Sequence, residues 1–329
     1  MSDNNNSLPN DFTIGYYLSN SKINRLKWNL FVDMCKERYN INVVPIDINK
    51  DINTINTRPY HVIIDKLTDE LGDLDNPSNK QKVDYIQSLI DKFPSIVEVD
   101  PLESQKPVLS RDTLTKLLDK LNDVSPELNI KNPKFVLVPE DYDNNKDYTQ
   151  LLKDANIKFP VVCKTIKACG SEESHYMGVV FNEKDLHQFK SPMLIQEFIN
   201  HNAIIYKVFA IGDYIHVVHR KSIRNMNENE NELIKFDSQK PFPASLLPTD
   251  GQELKIEIPS KSILSVISKD IQKNLDISLF GFDVIVDCET KKLAVVDINY
   301  FPTFSGVDDF YTLLIEHIIN VYKRKSPSS

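Results

Sequence analysis

Three oxygen-bearing side chains sit close together near the end of the chain, in residues 281–300, GFDVIVDCETKKLAVVDINY. Two apolar strands joined by the polar turn 288–292 predict a β-hairpin. A turn centred on Glu289 and Thr290 sets Asp283 roughly opposite Asp297, and the two-residue repeat of a strand puts Asn299 on the face of Asp297. Two carboxylates about 4 Å apart repel by roughly 1–4 kcal/mol, so a sheet that gathers them calls for a compensating cation. Magnesium takes oxygen ligands and shares them with substrate phosphates, which suits this trio. Singly, each residue more often ends a strand or opens a turn; together on one face they favour a metal site.

Two lysines lie in otherwise apolar strands, Lys164 in FPVVCKT and Lys207 in IIYKVFA. An ammonium buried without a partner costs several kcal/mol or loses its proton, and a nucleotide phosphate would be a natural counterion. Either lysine taken alone could equally snorkel to water from an edge strand. Between them, residues 167–178 form a polar loop with a glycine near each end that could fold over phosphates, although it is neither a Walker A motif nor GxGxxG. The strand 194–199, LIQEFI, offers backbone donors and acceptors of the kind that hold an adenine edge, and is also compatible with an ordinary core strand.

The elements that must position these residues follow from periodicity. Strand-like runs at Thr13 to Leu18, Val43 to Ile48, His61 to Lys66 and Ile96 to Val99 alternate with helical patterns at Lys22 to Tyr39 and around Val83, Ile86, Ile90 and Phe93. That is a βαβ opening with parallel sheet. The polar stretch Glu103 to Pro107 reads as a linker. A helix at Asp112 to Leu121 follows, then candidate strands at 135–138, 159–165, 176–181, 193–199, 204–211 and 214–220, with short helices at 148–155 and 183–189. Gly212-Asp213 signals a tight hairpin and hence antiparallel sheet. Residues 225–231, almost wholly Asn and Glu, read as a solvated, mobile insertion. A helix at 261–275, the hairpin and a helix at 308–322 complete an α/β chain. Its expected divisions are residues 1–107, 108–211 and 212–329.

Composition limits the partners. With 39 basic and 47 acidic residues among 329, the net charge of −8 supplies no global field for nucleic acid or an anionic membrane, so any anion must be held by a local basic cluster. The four cysteines form no CxxC pair, which fits a reducing compartment. The polar start of the chain and the lack of an apolar run near 20 residues lead us to expect a cytoplasmic protein, and a monomer by default.

The order of strand lysine, glycine loop, hinge strand, second strand lysine, distal Asp and Asp-x-Asn resembles an ATP-grasp fold. More narrowly, HVIIDKLTD (61–69), IQEFINHNA (195–203), YKVF (206–209), SLFGFD (278–283) and VDINYFP (296–302) resemble the inositol 1,3,4-trisphosphate 5/6-kinases, also called inositol-tetrakisphosphate 1-kinases. The resemblance implies an ATP-grasp enzyme with an N-terminal βαβ-type domain. Such an enzyme transfers the γ-phosphoryl group of ATP to inositol 1,3,4-trisphosphate at the 5 or 6 position, or to inositol 3,4,5,6-tetrakisphosphate at the 1 position, releasing ADP. It places Lys22, Lys66, Gly170, His175, Lys207, Arg220, Asn299 and Thr303 on the acceptor side, Thr303 standing where the family often has glycine. Arg111, Lys164, Gln196, Glu197, Phe198, Ile199, Lys207 and Ser222 fall on the ATP side. Asp283, Asp297 and Asn299 hold two magnesium ions, and Lys207 and Asp283 are the catalytic pair. Two rival readings keep the same fold, a carboxylate–amine ligase and a non-catalytic inositol phosphate sensor.

Overall fold

The computed structural model describes residues 8–120, 130–142, 148–170, 172–227, 229–248 and 257–326. The first sheet contains β1 (Thr13–Tyr17), β2 (Asn42–Pro45), β3 (Val62–Asp65) and β4 (Val97–Glu98), all parallel in the order β2-β1-β3-β4. Every residue of β3 is buried, as expected of a parallel strand covered on both faces. Val62 and Ile64 join a core with Trp28 and Phe31, whereas Ile63 packs with Ile86 and Leu89 of the opposite helix.

Two expectations for this segment change. The helix expected over 22–39 is two helices, Asn20–Leu26 and Trp28–Tyr39, parted at Lys27 with φ of 49°. One continuous helix would keep Leu30 in phase with Ile23 and Leu26; the break instead turns Trp28, Phe31 and Cys35 inward and leaves Leu30 46% exposed. The stretch 103–107 is no linker but a turn of helix, Leu102–Gln105, running into a 3-10 turn, Lys106–Leu109. Leu102 and Gln105 are buried there, because the Gln105 amide finds partners inside the fold. The next helix is Arg111–Asp119; Leu121, its expected end, lies outside the described residues.

The chain then forms β5 (Phe135–Val138), β6 (Val161–Thr165), β7 (Tyr176–Val180), β8 (Met193–Glu197), β9 (Ile204–Ile211), β10 (Tyr214–Lys221), β11 (Ile234–Asp237), β12 (Leu279–Val286) and β13 (Leu293–Tyr300). These make two antiparallel sheets, β11-β7-β6-β8-β5 and β10-β9-β12-β13. The β9-β10 hairpin turns through Gly212 at φ +55°, where an added Cβ would meet His317 Nδ1 at 2.5 Å. The expected division at 211/212 therefore falls inside this hairpin, and β11, which the sequence pattern did not reveal, returns to the middle sheet.

Residues 225–231 are only partly solvated: Asn227, Asn229 and Asn231 are exposed, but Met226 and Glu230 are tied into the fold, and residue 228 lies outside the described residues. Met226 is 4% exposed in a cluster with Ile223, Phe236 and Leu246, and Arg224 grips Glu230 through two hydrogen bonds of 2.7 and 2.6 Å. The first and third sheets share one core, closed by the helix Phe310–Lys325 through Leu314, Ile315 and Ile318. At their junction the buried Asp100 carboxylate accepts from Ser278 N and Oγ, both at 2.7 Å, and from Leu279 N at 3.0 Å. Among the described residues no helix is long and apolar enough to cross a membrane.

Candidate active site

The three sheets surround a cavity of about 880 Å³. Its floor is the third sheet, where pairing puts Lys207 of β9 beside Asp283 of β12, and Asp283 beside Asp297 of β13. The hairpin register needs one adjustment to do this. Near the turn Val284 pairs with Val295, but beyond an irregularity after Asp283 the partner is Asp297, so β13 carries an extra residue, Val296. This bulge brings the two acids into line. The Asn299 side-chain amide then donates to Asp297 Oδ2 at 2.8 Å.

Lys207 Nζ lies 3.1 Å from Asp283 Oδ1, an ion pair without hydrogen-bond geometry, so that among the described residues this buried oxygen has no hydrogen-bond partner. Burial pushes the Asp283 pKa up; Lys207 opposes the shift, Asp297 reinforces it and Arg220 opposes it. A carboxylate so placed gains from a cation. Among the described residues no three His, Cys, Asp or Glu side chains converge as a metal site. The donor set here is two carboxylates and an amide, few enough that phosphate oxygens and water would complete an octahedron, as magnesium requires.

Over this floor stands β6. Lys164 Nζ donates to Gln196 Oε1 at 2.9 Å. Its pKa is lowered to about 8 by burial and by Arg111, against the pull of Asp297 and Asp283. Arg111 is 8% exposed and spends its guanidinium on carbonyls, those of Thr165 (2.9 Å), Lys167 (2.8 Å) and Ser174 (2.9 Å). It lines the cavity but chiefly fastens the two ends of the loop 165–174.

The hinge residues Gln196, Glu197, Phe198 and Ile199 all border the cavity. Lys131 joins Glu197 (3.0 Å) to Asp287 in the hairpin turn (3.1 Å), coupling hinge and floor. His201, which periodicity did not single out, is 6% exposed, its Nδ1 2.7 Å from the Ile199 carbonyl and its Nε2 2.9 Å from Ser222 Oγ. A carbonyl only accepts, so Nδ1 carries the proton and Nε2 accepts from Ser222. Burial lowers the His201 pKa, consistent with a neutral ring. Asn225 Oδ1 accepts from the backbone N–H of both His201 (3.0 Å) and Asn202 (2.7 Å).

Lys22, Lys66, His175, Arg220 and Thr303 also border the cavity, with Arg25, Asp69 and Glu70 among its lining residues. Lys66 is half-buried with its pKa lowered by burial, and Arg220 is exposed. His175 is held by Gln239 at 2.9 Å, and Thr303 Oγ1 by Ser305 Oγ at 3.0 Å. Two of the expected acceptor residues are placed differently. The Lys22 amine turns to the carbonyls of Phe301 and Pro302 and lies 4.4 Å from the Phe301 ring centre. Burial, Lys66 and Arg25 together lower its pKa to about 6. Gly170 does not border the cavity; at φ +80° it packs on the backbone of Asp69 and Gly72, where a Cβ would sit 3.1 Å from the Asp69 carbonyl. Every expected site residue except Gly170, Lys22 included, borders the one cavity.

Residues 13–105 match the inositol 1,3,4-trisphosphate 5/6-kinase pre-ATP-grasp domain, and residues 125–320 match the ATP-grasp domain of the same kinases. The chain belongs to the inositol 1,3,4-trisphosphate 5/6-kinase family. It is 36% identical to an inositol-tetrakisphosphate 1-kinase of Danio rerio, over 94% of this chain and 78% of the relative. A counterpart from Xenopus laevis is 35% identical over 96% and 80%. Among solved structures, a D-alanine–D-alanine ligase from Bacillus anthracis superposes with a TM-score of 0.58 at 14% identity, covering 95% of this chain and 98% of the ligase. That likeness shows the ATP-grasp fold, shared here by a member of a kinase family.

Proposed function

We propose that the chain is an ATP- and magnesium-dependent kinase that transfers the γ-phosphoryl group to a hydroxyl of a soluble inositol polyphosphate. The observation that carries this reading is the row Lys207–Asp283–Asp297, facing the same cavity as Lys66, His175 and Arg220. A phosphate donor site and a cationic acceptor wall thus share one space. A volume of about 880 Å³ is near the upper end of single-ligand pockets, which suits two substrates side by side.

In this reading Gln196 to Ile199 hold the adenine edge, Ser222 lies beside the nucleotide, and Lys164 and Lys207 neutralise its phosphates. Asp283, Asp297 and Asn299 would hold two magnesium ions, whose chemistry is to neutralise charge on the β and γ groups during transfer. Phosphoryl transfer passes through a loose transition state, so placement and charge do most of the work. Lys207 starts paired to Asp283 and can share its charge with the moving phosphoryl group. Asp283 also lies where it could take the proton of the acceptor hydroxyl. Lys66, His175 and Arg220 fix the phosphates of the sugar, and Thr303 and Asn299 border the acceptor.

The acceptors favoured by family membership are inositol 1,3,4-trisphosphate, at the 5 or 6 hydroxyl, and inositol 3,4,5,6-tetrakisphosphate, at the 1 hydroxyl. Incubation with ATP, magnesium and inositol 1,3,4-trisphosphate, with separation of the products, should give a tetrakisphosphate and ADP. ATP turnover without it, or none of either, would reject the assignment. We further propose a cytoplasmic monomer, a reading supported by the reduced cysteines and acidic surface; sedimentation as a dimer at micromolar concentration would count against it.

A further inference from the structure

Lys66 sits at the turn where β3 ends, and its neighbours are held by one side chain from forty residues away. Gln105 is wholly buried, at 0% exposure. Its Nε2 donates to Asp65 Oδ1 at 2.7 Å and, more weakly, to the Asp100 carbonyl at 3.3 Å; its Oε1 accepts from Leu67 N at 3.2 Å. One planar amide thus brackets Lys66, binding the residue before it and the residue after it. The residue at 66 is itself tied by its N–H to the Tyr17 carbonyl at 3.1 Å. The Asp65 carbonyl in turn accepts from the hydroxyl of Tyr300 at 3.1 Å, a residue next to Asn299 that also lies beside Asp100.

We infer that Gln105 and Tyr300 are positioning residues for the acceptor, fixing the backbone around Lys66 so that its ammonium is pre-set for a phosphate of the sugar. The inference rests on the reading that Lys66 faces the acceptor. A buried glutamine is costly unless its amide is satisfied, and this one is satisfied almost entirely by the turn that carries Lys66. Lysine is a point charge on a flexible stem, so where it stands is set by its backbone. Tyr300 ties that backbone to the strand bearing the proposed metal ligands, so donor and acceptor sites share one strut. Neither residue touches the cavity through a charge, which is why charge and motif alone do not reveal the arrangement.

The test compares wild type, Gln105→Leu, Tyr300→Phe, Lys66→Ala and the double variant Gln105→Leu/Lys66→Ala. Initial rates are measured with inositol 1,3,4-trisphosphate varied at saturating ATP, and the reverse. Gln105→Leu should raise the acceptor KM by about fivefold to twentyfold, the scale of a broken buried hydrogen-bond pair, and leave the ATP KM within about twofold. On the Lys66→Ala background it should add nothing, because its effect passes through that ammonium. Tyr300→Phe, which removes a single oxygen, should show a smaller shift of the same kind, and it decides the matter if Gln105→Leu does not fold. Equal rises in both KM values, or full additivity in the double variant, would overturn the inference, as would an unmoved acceptor KM in both Gln105→Leu and Tyr300→Phe. A wild type that makes no tetrakisphosphate rejects the kinase reading itself, and a Lys66→Ala variant with normal acceptor KM rejects the placement of Lys66 on which this inference depends.

Discussion

If Lys164 is the ammonium that meets the nucleotide phosphates, ATP affinity must fall as pH rises through its pKa in the free enzyme. That value is about 8, lowered by burial and by Arg111. A bound phosphate favours the charged form, so the complex holds more protons than the free enzyme between pH 8 and the ordinary lysine range, and affinity must decline across that window. At pH 7 about nine-tenths of free Lys164 is protonated, at pH 9 about one-tenth, so the apparent Kd should rise about tenfold between them. ATP itself is fully ionised above about pH 7.5 and adds little slope. Equilibrium titration of a fluorescent ATP analogue from pH 7 to 9.5, with and without magnesium, measures the effect. Lys164→Arg supplies the control, since guanidinium stays charged throughout and should flatten the curve. A flat wild-type profile, or an equal slope in the arginine variant, would refute the argument that Lys164 charges the nucleotide site.

Other consequences follow from the same geometry. Asp297→Asn removes one of two facing carboxylates; it should raise the melting temperature without magnesium, cancel stabilisation by magnesium, and lower kcat by at least about 100-fold, and magnesium titrations followed by calorimetry and rate assays check all three. Lys22 is held at about pKa 6, so the unfolded chain binds more protons there and stability should climb with pH from about 6 upward, by at most about 1.4 kcal/mol per pH unit. Lys22→Met should flatten that slope in urea melts, and an unchanged slope would show the amine to be solvated. Asn225→Ala frees two backbone N–H groups at the hinge. We expect a loss of about 1–2 kcal/mol in stability and faster amide exchange at His201 and Asn202, and unaltered exchange there would remove the claim that Asn225 braces the hinge.

What could be read from the sequence was local. The two apolar runs around 282–287 and 293–299, joined by a polar turn, mark a hairpin and set Asp283 near Asp297, but the exact pairing depends on the bulge. The bulge at Val296 could not be read, because it falls at the end of the continuous apolar run Leu293 to Val296, where no alternation marks the register. Gln105 and Met226 were misread for a related reason: their flanking residues are polar, and what buries them lies far away in the chain. Lys22 was legible as a cation opening the first helical pattern, but its contact with Phe301 joins residues 279 apart, which no local period encodes. β11 escaped notice as four residues, Ile234–Asp237, with one charge in the middle and an edge position in its sheet. Gly170 reads as a phosphate-loop glycine, yet its positive φ serves close packing against Gly72.

The ligase-like fold raises the question of what makes this site a kinase site. The floor alone does not answer it, since a lysine, two carboxylates and a divalent ion serve any reaction that moves the γ-phosphoryl group of ATP. The difference must come from the wall that receives the acceptor. A carboxylate acceptor carries one charge and needs one well-placed cation, whereas an inositol polyphosphate carries several and needs cations arriving from separate directions. Lys66 comes from the parallel first sheet, His175 from the turn before β7 and Arg220 from the edge strand β10, three elements that meet only when all three sheets are assembled. In a chain of net charge −8 that convergence cannot be an average property of the surface. If the wall sets acceptor class, neutralising Lys66, His175 and Arg220 together should abolish transfer to inositol 1,3,4-trisphosphate while the ATP-binding profile with pH stays as in wild type. Loss of ATP binding in that triple variant would mean the wall and the floor are one electrostatic unit, and acceptor choice would then have to be sought elsewhere in the cavity.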